Sequence, residues 1–276
     1  MYQRTCKFGR CFFPASRTSF PRTIVFAGSF LGAPMTQDFH IKGFIPVSML
    51  DWPGKVCSIV FLAGCSFRCP ACHNGDLVIR QGSLRDESLA GVLSHLERRK
   101  NWIDGVTVTG GEPTIHDNLP QLLRTIRAQG VLIKLDTNGS HPGMIEALLS
   151  EGLVDAVAMD VKAPFTEEEY SKLAGVQVDI GLIFRSVEIL KASGLEVVFR
   201  TTAIPGIVEE PQLRRIRQSL GEVPRFTIQG FRNVQTLDPA FRRIPQFAPE
   251  RLERMRLLFE TPAPEAVNPR LVAHAG

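Results

Sequence analysis

The chain has 276 residues, 44% of them apolar and 22% charged, with a net charge of +4, which fits one large α/β domain with a sizeable core. The charge is uneven. Residues 1–34 carry Arg4, Lys7, Arg10, Arg17 and Arg22 and no acidic residue, leaving +4 − 5 = −1 for the rest, too little positive charge for a nucleic-acid surface.

No run reaches the roughly 18 apolar residues that a membrane-spanning helix needs. Three of the six cysteines fall within residues 65–72, and a chain this long needs no disulfide staples, so a reducing, cytoplasmic compartment fits. Residues 1–34 are rich in Arg, Ser, Phe and Pro and show no period. They read as a leader outside the fold: a transit peptide, a disordered segment, or untranslated codons ahead of a start at Met35, the last favoured because the recognisable pattern begins there. Cys6 and Cys11 in this leader read as a chance pairing.

From about residue 55, short apolar runs alternate with helical periodicity. The expected strands are "SIVFLAG" (58–64), "GVTVTGG" (105–111), "VLIKLDTNG" (131–139), "VDAVAMDVK" (154–162), "EVVFRTTAIPG" (196–206) and "RFTIQGF" (225–231). Between them, "DESLAGVLSHLERR", "MIEALLSEG" and "IGLIFRSVEILKASG" repeat apolar residues at three and four, with Gly130, Gly152 and Gly194 as helix ends. Six such units in a row predict an α/β fold, a partial (βα)6 parallel-strand barrel. Residues 35–235 form its core domain, and residues 236–276 a partly helical extension with a Pro/Ala-rich tail.

In parallel α/β folds the ligand site lies at the carboxyl ends of the strands. The polar residues collect there. Cys65, Cys69 and Cys72 follow the first strand and Gly110-Gly111-Glu112-Pro113 the second. Asp136-Thr137-Asn138-Gly139 ends the third, Asp160-Val161-Lys162 the fourth, Arg200 sits in the fifth and Gln229 in the sixth.

Three crowded thiolates select an iron–sulfur cluster or zinc. For zinc, Cys57 or His73 would supply a fourth ligand; for a cluster, one iron stays open to a small molecule. "GGEP" and the two aspartates also have plain readings, as a turn and as helix caps. His95, His116, His141 and His274 read as surface residues.

The C-x3-C-x2-C spacing with GGEP one unit later resembles the radical S-adenosylmethionine superfamily over residues 39–235. The resemblance implies a [4Fe-4S] cluster on Cys65, Cys69 and Cys72 whose open iron binds the amino and carboxylate groups of S-adenosylmethionine. It further implies that Gly110, Gly111 and Glu112 form the cofactor-contacting loop and that Ala71 and His73 lie on the adenine side. Ala71 departs from the aromatic residue usual before the third cysteine. "DTNG" and "MDVKAP" are similar to the glycyl-radical-enzyme activases, which implies that Asp136, Thr137 and Asp160 hold a monovalent cation near the ligand's carboxylate. Lys162 would lie beside the cofactor with a catalytic role, Arg200 would pair with that carboxylate or with Asp160, and Gln229 would close the site.

The segment "GFIPVSMLDWPGKVCSIVFLAGCSFRCPACHN", with "MDVKAP" and "FTIQGF", most resembles the activating proteins of anaerobic ribonucleoside-triphosphate reductase. That resemblance implies a glycyl radical made on this partner with electrons from a flavodoxin- or ferredoxin-like donor; the near-neutral body and the lack of a long apolar run argue against a nucleic-acid or membrane partner. A radical S-adenosylmethionine enzyme for another glycyl radical protein or a small molecule of deazapurine type, and a zinc-stabilised binding module, are the alternatives.

Overall fold

The computed structural model describes residues 38–260; the expected leader, Cys6, Cys11, His274 and the Pro/Ala-rich tail lie outside them. In chain order the elements are β1 (Ile41–Ser48), β2 (Cys57–Leu62), α1 (Gly75–Ile79), α2 (Leu89–Arg98), β3 (Gly105–Gly110), α3 (Leu119–Arg127), β4 (Leu132–Thr137) and α4 (Pro142–Ser150). They continue with β5 (Ala156–Asp160), α5 (Glu167–Ala174), α6 (Ile180–Ala192), β6 (Glu196–Ala203), α7 (Glu210–Leu220), β7 (Phe226–Gly230) and α8 (Pro249–Phe259).

All seven strands lie in sequence order in one sheet, and β2 to β7 are parallel throughout. These six are the expected strands. β1 is an addition, antiparallel to β2, with Ile41 opposite Leu62 and Ser48 opposite Cys57. Its sequence "IKGFIPVS" carries Gly43 and Pro46, which argue against a central strand; at a sheet edge, with two irregularities in register, both are tolerated.

The period of two sorts each strand. Val60, Val108, Leu135, Met159, Phe199 and Phe226 point to one face and are buried under the helices, each contributing roughly 1.5–3 kcal/mol. The helices begin where side chains accept from free backbone N–H groups, Ser88 from Gly91, Thr166 from Glu169 and Asp179 from Gly181. Gly130, Gly152 and Gly194 have φ of +77°, +61° and +69° at the expected helix ends.

The other face carries Ile59, Phe61 and Val198 but is otherwise small or polar, including Cys57, Thr107, Lys134, Asp136, Ala156, Ala158, Asp160 and Arg200. At the amino ends of the strands, Trp52 packs with Cys57 and Ala156, and a Cβ on Gly105 would stand 2.7 Å from its ring. Its indole Nε1 donates to Glu196 at 3.3 Å. A side chain from the β1–β2 loop that reaches both β3 and β6 requires the sheet to curl around this face. Among the described residues β1 and β7 do not pair, so the curled sheet is a partial barrel, plugged below by Trp52.

α8 covers the β7 edge. Glu260 accepts from the Ile228 N–H at 2.6 Å and Arg256 donates to the Ile228 carbonyl at 3.2 Å, so side chains occupy ladder groups that a further strand would use. Among the described residues no helix is long and apolar enough to cross a membrane.

Candidate active site at the carboxyl ends of the strands

The loop after β2 carries Cys65, Cys69 and Cys72, all unpaired and partly buried. Four neighbours fix its path. The Arg68 N–H donates to the Ala174 carbonyl at the end of α5 (2.7 Å), and the Asp238 N–H, beyond β7, donates to the Pro70 carbonyl (3.0 Å). From the β4–α4 loop, Asn138 Nδ2 donates to Ser66 Oγ at 3.0 Å and lies 3.8 Å from Cys65 Sγ. The Phe67 N–H donates to the same sulfur at 3.3 Å.

The fourth neighbour is the loop after β3. The Gly111 N–H donates to the Leu62 carbonyl (2.9 Å) and the Glu112 N–H to the Gly64 carbonyl (2.8 Å). A Cβ on Gly111 would fall 1.7 Å from the Gly64 oxygen, and one on Gly110, where φ is +125°, 2.3 Å from the Leu62 oxygen. Only glycine fits either position. The close approach that these glycines permit is therefore to the chain's own backbone beside the cysteines. Glu112 is buried and joins this loop to β4: it accepts from Thr137 Oγ1 (2.7 Å), Thr114 Oγ1 (2.5 Å) and the N–H groups of Thr114 (3.1 Å) and Asn138 (2.6 Å). Burial raises its pKa, and these donors hold the rise back.

Across the inner face of β4, β5 and β6 runs a chain of alternating charges. Lys134 Nζ lies 2.5 Å from Asp136 Oδ1, Arg200 Nη1 3.1 Å from Asp136 Oδ2, Arg200 Nε 2.8 Å from Asp160 Oδ1, and Lys162 Nζ 2.9 Å from Asp160 Oδ2. The side chains grade from 6% exposed at Lys134 to 29% at Asp160 and 26% at Lys162, so the open end of the chain is the one beside the cysteines. Burial alone would raise the Asp160 pKa, but Arg200 and Lys162 overcome it and hold the carboxyl below the usual range. Burial would lower Lys162, and Asp160 overcomes that in turn. The Lys162 N–H is also fixed, donating to the buried Tyr170 hydroxyl at 3.3 Å.

The cysteines are the electrostatic counterpart. Burial pushes Cys65 up to about 12, against the Phe67 N–H bond, and also raises Cys69 and Cys72, with Lys162 acting against it at both. Left alone these are protonated thiols; a bound cation centre is what would make them thiolates.

The structure brings Cys65, Cys69, Cys72, Asp136, Asp160, Lys162 and Arg200 to one rim, with Glu112 buried beneath the cysteine loop. Among the other expected site residues, Thr137 turns away from this rim. The Thr137 side chain points to the helix-covered face, where its hydroxyl serves Glu112 and accepts from the Gly139 N–H (3.1 Å). Gln229, opposite Thr202 and in phase with Arg200, lies exposed on the inner face at the carboxyl end of β7. Ala71 is half-buried against the core, while His73 is exposed, near the Arg232 carbonyl (2.8 Å) and stacked on Phe231. His95 is buried against the Pro46 carbonyl rather than exposed, and His116 reaches the Ala63 carbonyl and stacks on His40. Lys134, Asn138 and Ser66 are additions to the site. The first was legible as a lysine two residues before Asp136, on the same face of a strand.

Cys57 starts β2 while the three cysteines follow its end, roughly 16 Å of strand away. It is buried beside Trp52 and Thr107 and cannot complete a four-ligand zinc site. Among the described residues no three His, Cys, Asp or Glu side chains converge on one ion. Three soft thiols, with N–H donors at one sulfur and no fourth protein ligand among the described residues, fit the iron–sulfur cluster that the resemblance implies. Each carboxylate oxygen of Asp136 and Asp160, the pair expected to hold a monovalent cation, meets one protein cation.

Comparison with known proteins agrees with this geometry. The family described as the Radical SAM superfamily matches residues 59–215, more than half of the chain. A glycyl-radical enzyme activating enzyme of Methanocaldococcus jannaschii is 29% identical over 209 residues, 74% of this chain and 85% of that protein. The pyruvate formate-lyase-activating enzyme of Clostridium pasteurianum is 32% identical over 128 residues, 45% of this chain and 52% of that one. Among solved structures, TYW1 with a lysine-pyruvate adduct bound superposes with a TM-score of 0.54 at 14% identity, over 74% of this chain and 72% of that chain, a likeness of fold. The chain is thus a member of the radical S-adenosylmethionine superfamily of enzymes, and within it resembles the glycyl-radical-enzyme activating enzymes.

Proposed function

We propose that this protein activates a glycyl radical enzyme, and that its partner is anaerobic ribonucleoside-triphosphate reductase. The observation that carries the activase reading is the shared rim: three free thiols on one loop, facing the positively charged end of the Lys134–Lys162 chain. The similarity to the M. jannaschii protein over most of both chains supports it. The reductase as partner is supported by the segment from Gly43 to Asn74, whose Asp51-Trp52-Pro53-Gly54 stretch supplies the plug at the base of the barrel.

When bound at such a site, a [4Fe-4S] cluster and S-adenosylmethionine supply a 5′-deoxyadenosyl radical that takes a hydrogen atom from a backbone glycine of the partner. The chain's own part is positioning. Cys65, Cys69 and Cys72 hold the cluster, and the Phe67 N–H and Asn138 steady the first sulfur. The charge chain sums to three cations minus two carboxylates, +1, and so has room for one further carboxylate, that of the methionyl group, at its Lys162 end. Trp52 closes the base, so substrate approaches from the rim.

The test is to reconstitute the protein anaerobically, reduce it with a flavodoxin- or ferredoxin-like donor, add S-adenosylmethionine and the reductase, and record electron paramagnetic resonance. A glycyl radical doublet on the reductase supports the reading. A doublet with pyruvate formate-lyase and none with the reductase moves the partner; 5′-deoxyadenosine release with no protein radical turns the reading toward a small-molecule substrate.

A further inference from the structure

We propose that the Lys134 ammonium is a built-in monovalent cation for Asp136: it engages Oδ1 where an exchangeable alkali ion could otherwise sit and makes the site independent of added potassium or sodium. The proposal rests on the reading of this rim as the S-adenosylmethionine site.

Every oxygen of the two carboxylates is already met by a protein cation. Asp136 Oδ1 takes Lys134 and Oδ2 takes Arg200; Asp160 Oδ1 takes Arg200 and Oδ2 takes Lys162. An alkali ion approaching any of these oxygens would meet a protein cation already beside it. It would also raise the local charge from +1 to +2 inside a partly desolvated barrel, where each unit charge is costly. An ammonium group and a potassium ion have the same charge and closely similar size, so either could sit against a carboxylate oxygen here. The chain supplies the ammonium.

The position of Lys134 suits that task. It lies two residues before Asp136 on the inner face of β4, between Thr107 of β3 and Ala156 of β5 in register. Its side chain is only 6% exposed, and among the described residues Asp136 is the one carboxylate it pairs with. It therefore approaches Asp136 from below, with Arg200 on the other oxygen. Lys134 acts through Asp136 and Arg200: with Oδ1 engaged from beneath, Oδ2 faces Arg200, which in turn holds Asp160 in register with Lys162. It is a positioning residue and does not itself reach the rim.

The experiment compares the wild type with Lys134→Met, which keeps the stem and removes the charge, and Lys134→Arg, which keeps the charge. Thermal melting of the unloaded protein is measured in choline, sodium, potassium and ammonium chloride at equal ionic strength. S-adenosylmethionine affinity of the cluster-loaded protein is measured in the same salts. The wild type should melt at one temperature and bind with one affinity in all four, within about twofold. Lys134→Met in choline should melt lower and bind S-adenosylmethionine about tenfold or more weakly, as expected when one partner of a buried ion pair is lost. Potassium or ammonium should restore both values. Lys134→Arg should show little salt dependence.

A wild type whose affinity or melting temperature rises severalfold or by several degrees on adding potassium overturns the proposal, as does a Lys134→Met protein that no cation rescues. If S-adenosylmethionine binds to none of the proteins, the cofactor reading fails on its own, and the melting series still decides the role of Lys134.

Discussion

Asp160 and Arg200 face each other directly across the β5–β6 ladder, and Arg200 spans from Asp160 on β5 to Asp136 on β4 with its Nε and Nη1 at 2.8 and 3.1 Å. One guanidinium thus ties two carboxylates from neighbouring strands into a single rim. This follows from the fork shape of arginine, which lysine cannot reproduce.

Arg200→Met should therefore destabilise the fold by about 3–5 kcal/mol, the loss expected when one partner leaves a buried ion pair. The pH dependence has a definite sign. Asp160 is held below its ordinary pKa in the folded protein, so its pairing contributes stability above the unfolded value of about 3.9, and that stability is lost as pH falls. Urea midpoints at neutral and acid pH should show the gap between wild type and Arg200→Met closing on acidification. A gap that stays constant would mean that Arg200 acts by packing alone.

Gly111→Ala should block docking of the β3 loop onto the cysteine loop, because its Cβ would overlap the Gly64 oxygen. Iron uptake on reconstitution should fall to a small fraction of wild type. Gly143→Ala, in α4 with nothing within 4 Å of the new methyl, is the control and should load normally. Equal loading of both variants would remove the lock from the account.

Much of this was legible in the sequence, for identifiable reasons. The six parallel strands stand out because buried parallel strands are near-continuous apolar runs, and the rim residues because polar groups end each run. β1 was not legible, since Gly43 and Pro46 hide a strand whose edge position only the sheet reveals. The resemblance to the activases sets Thr137 beside Asp136 at one site. In a strand they point to opposite faces, and Thr137 went to Glu112. His95 read as a surface residue for lack of a partner, which is a backbone carbonyl on β1, 49 positions away.

Trp52→Ala should cost about 3–5 kcal/mol, as large aromatic truncations in cores do, while leaving the three thiols in place at the other end of the barrel. Chemical denaturation should show the loss, with iron content per folded protein unchanged. Iron lost in proportion to stability would instead mean that the base and the rim are one cooperative unit.

Cys69→Ala should abolish cluster assembly, whereas Cys57→Ala should cost on the order of 1 kcal/mol of packing and load iron normally. Iron and sulfide analysis with the brown absorbance of the cluster separates the two. A Cys57→Ala protein as empty as Cys69→Ala would require a fourth protein ligand and sink the open-iron site.

The central claim is that three thiols leave a place for S-adenosylmethionine beside the Asp160–Lys162 end of the charge chain. Electron paramagnetic resonance of the reduced, reconstituted protein tests it most directly, recorded before and after S-adenosylmethionine is added. The account predicts a changed cluster spectrum in the wild type, with release of 5′-deoxyadenosine, and in Lys162→Ala a similar starting spectrum that needs much more S-adenosylmethionine to change. A wild-type spectrum that S-adenosylmethionine leaves untouched, with no 5′-deoxyadenosine formed, would contradict it.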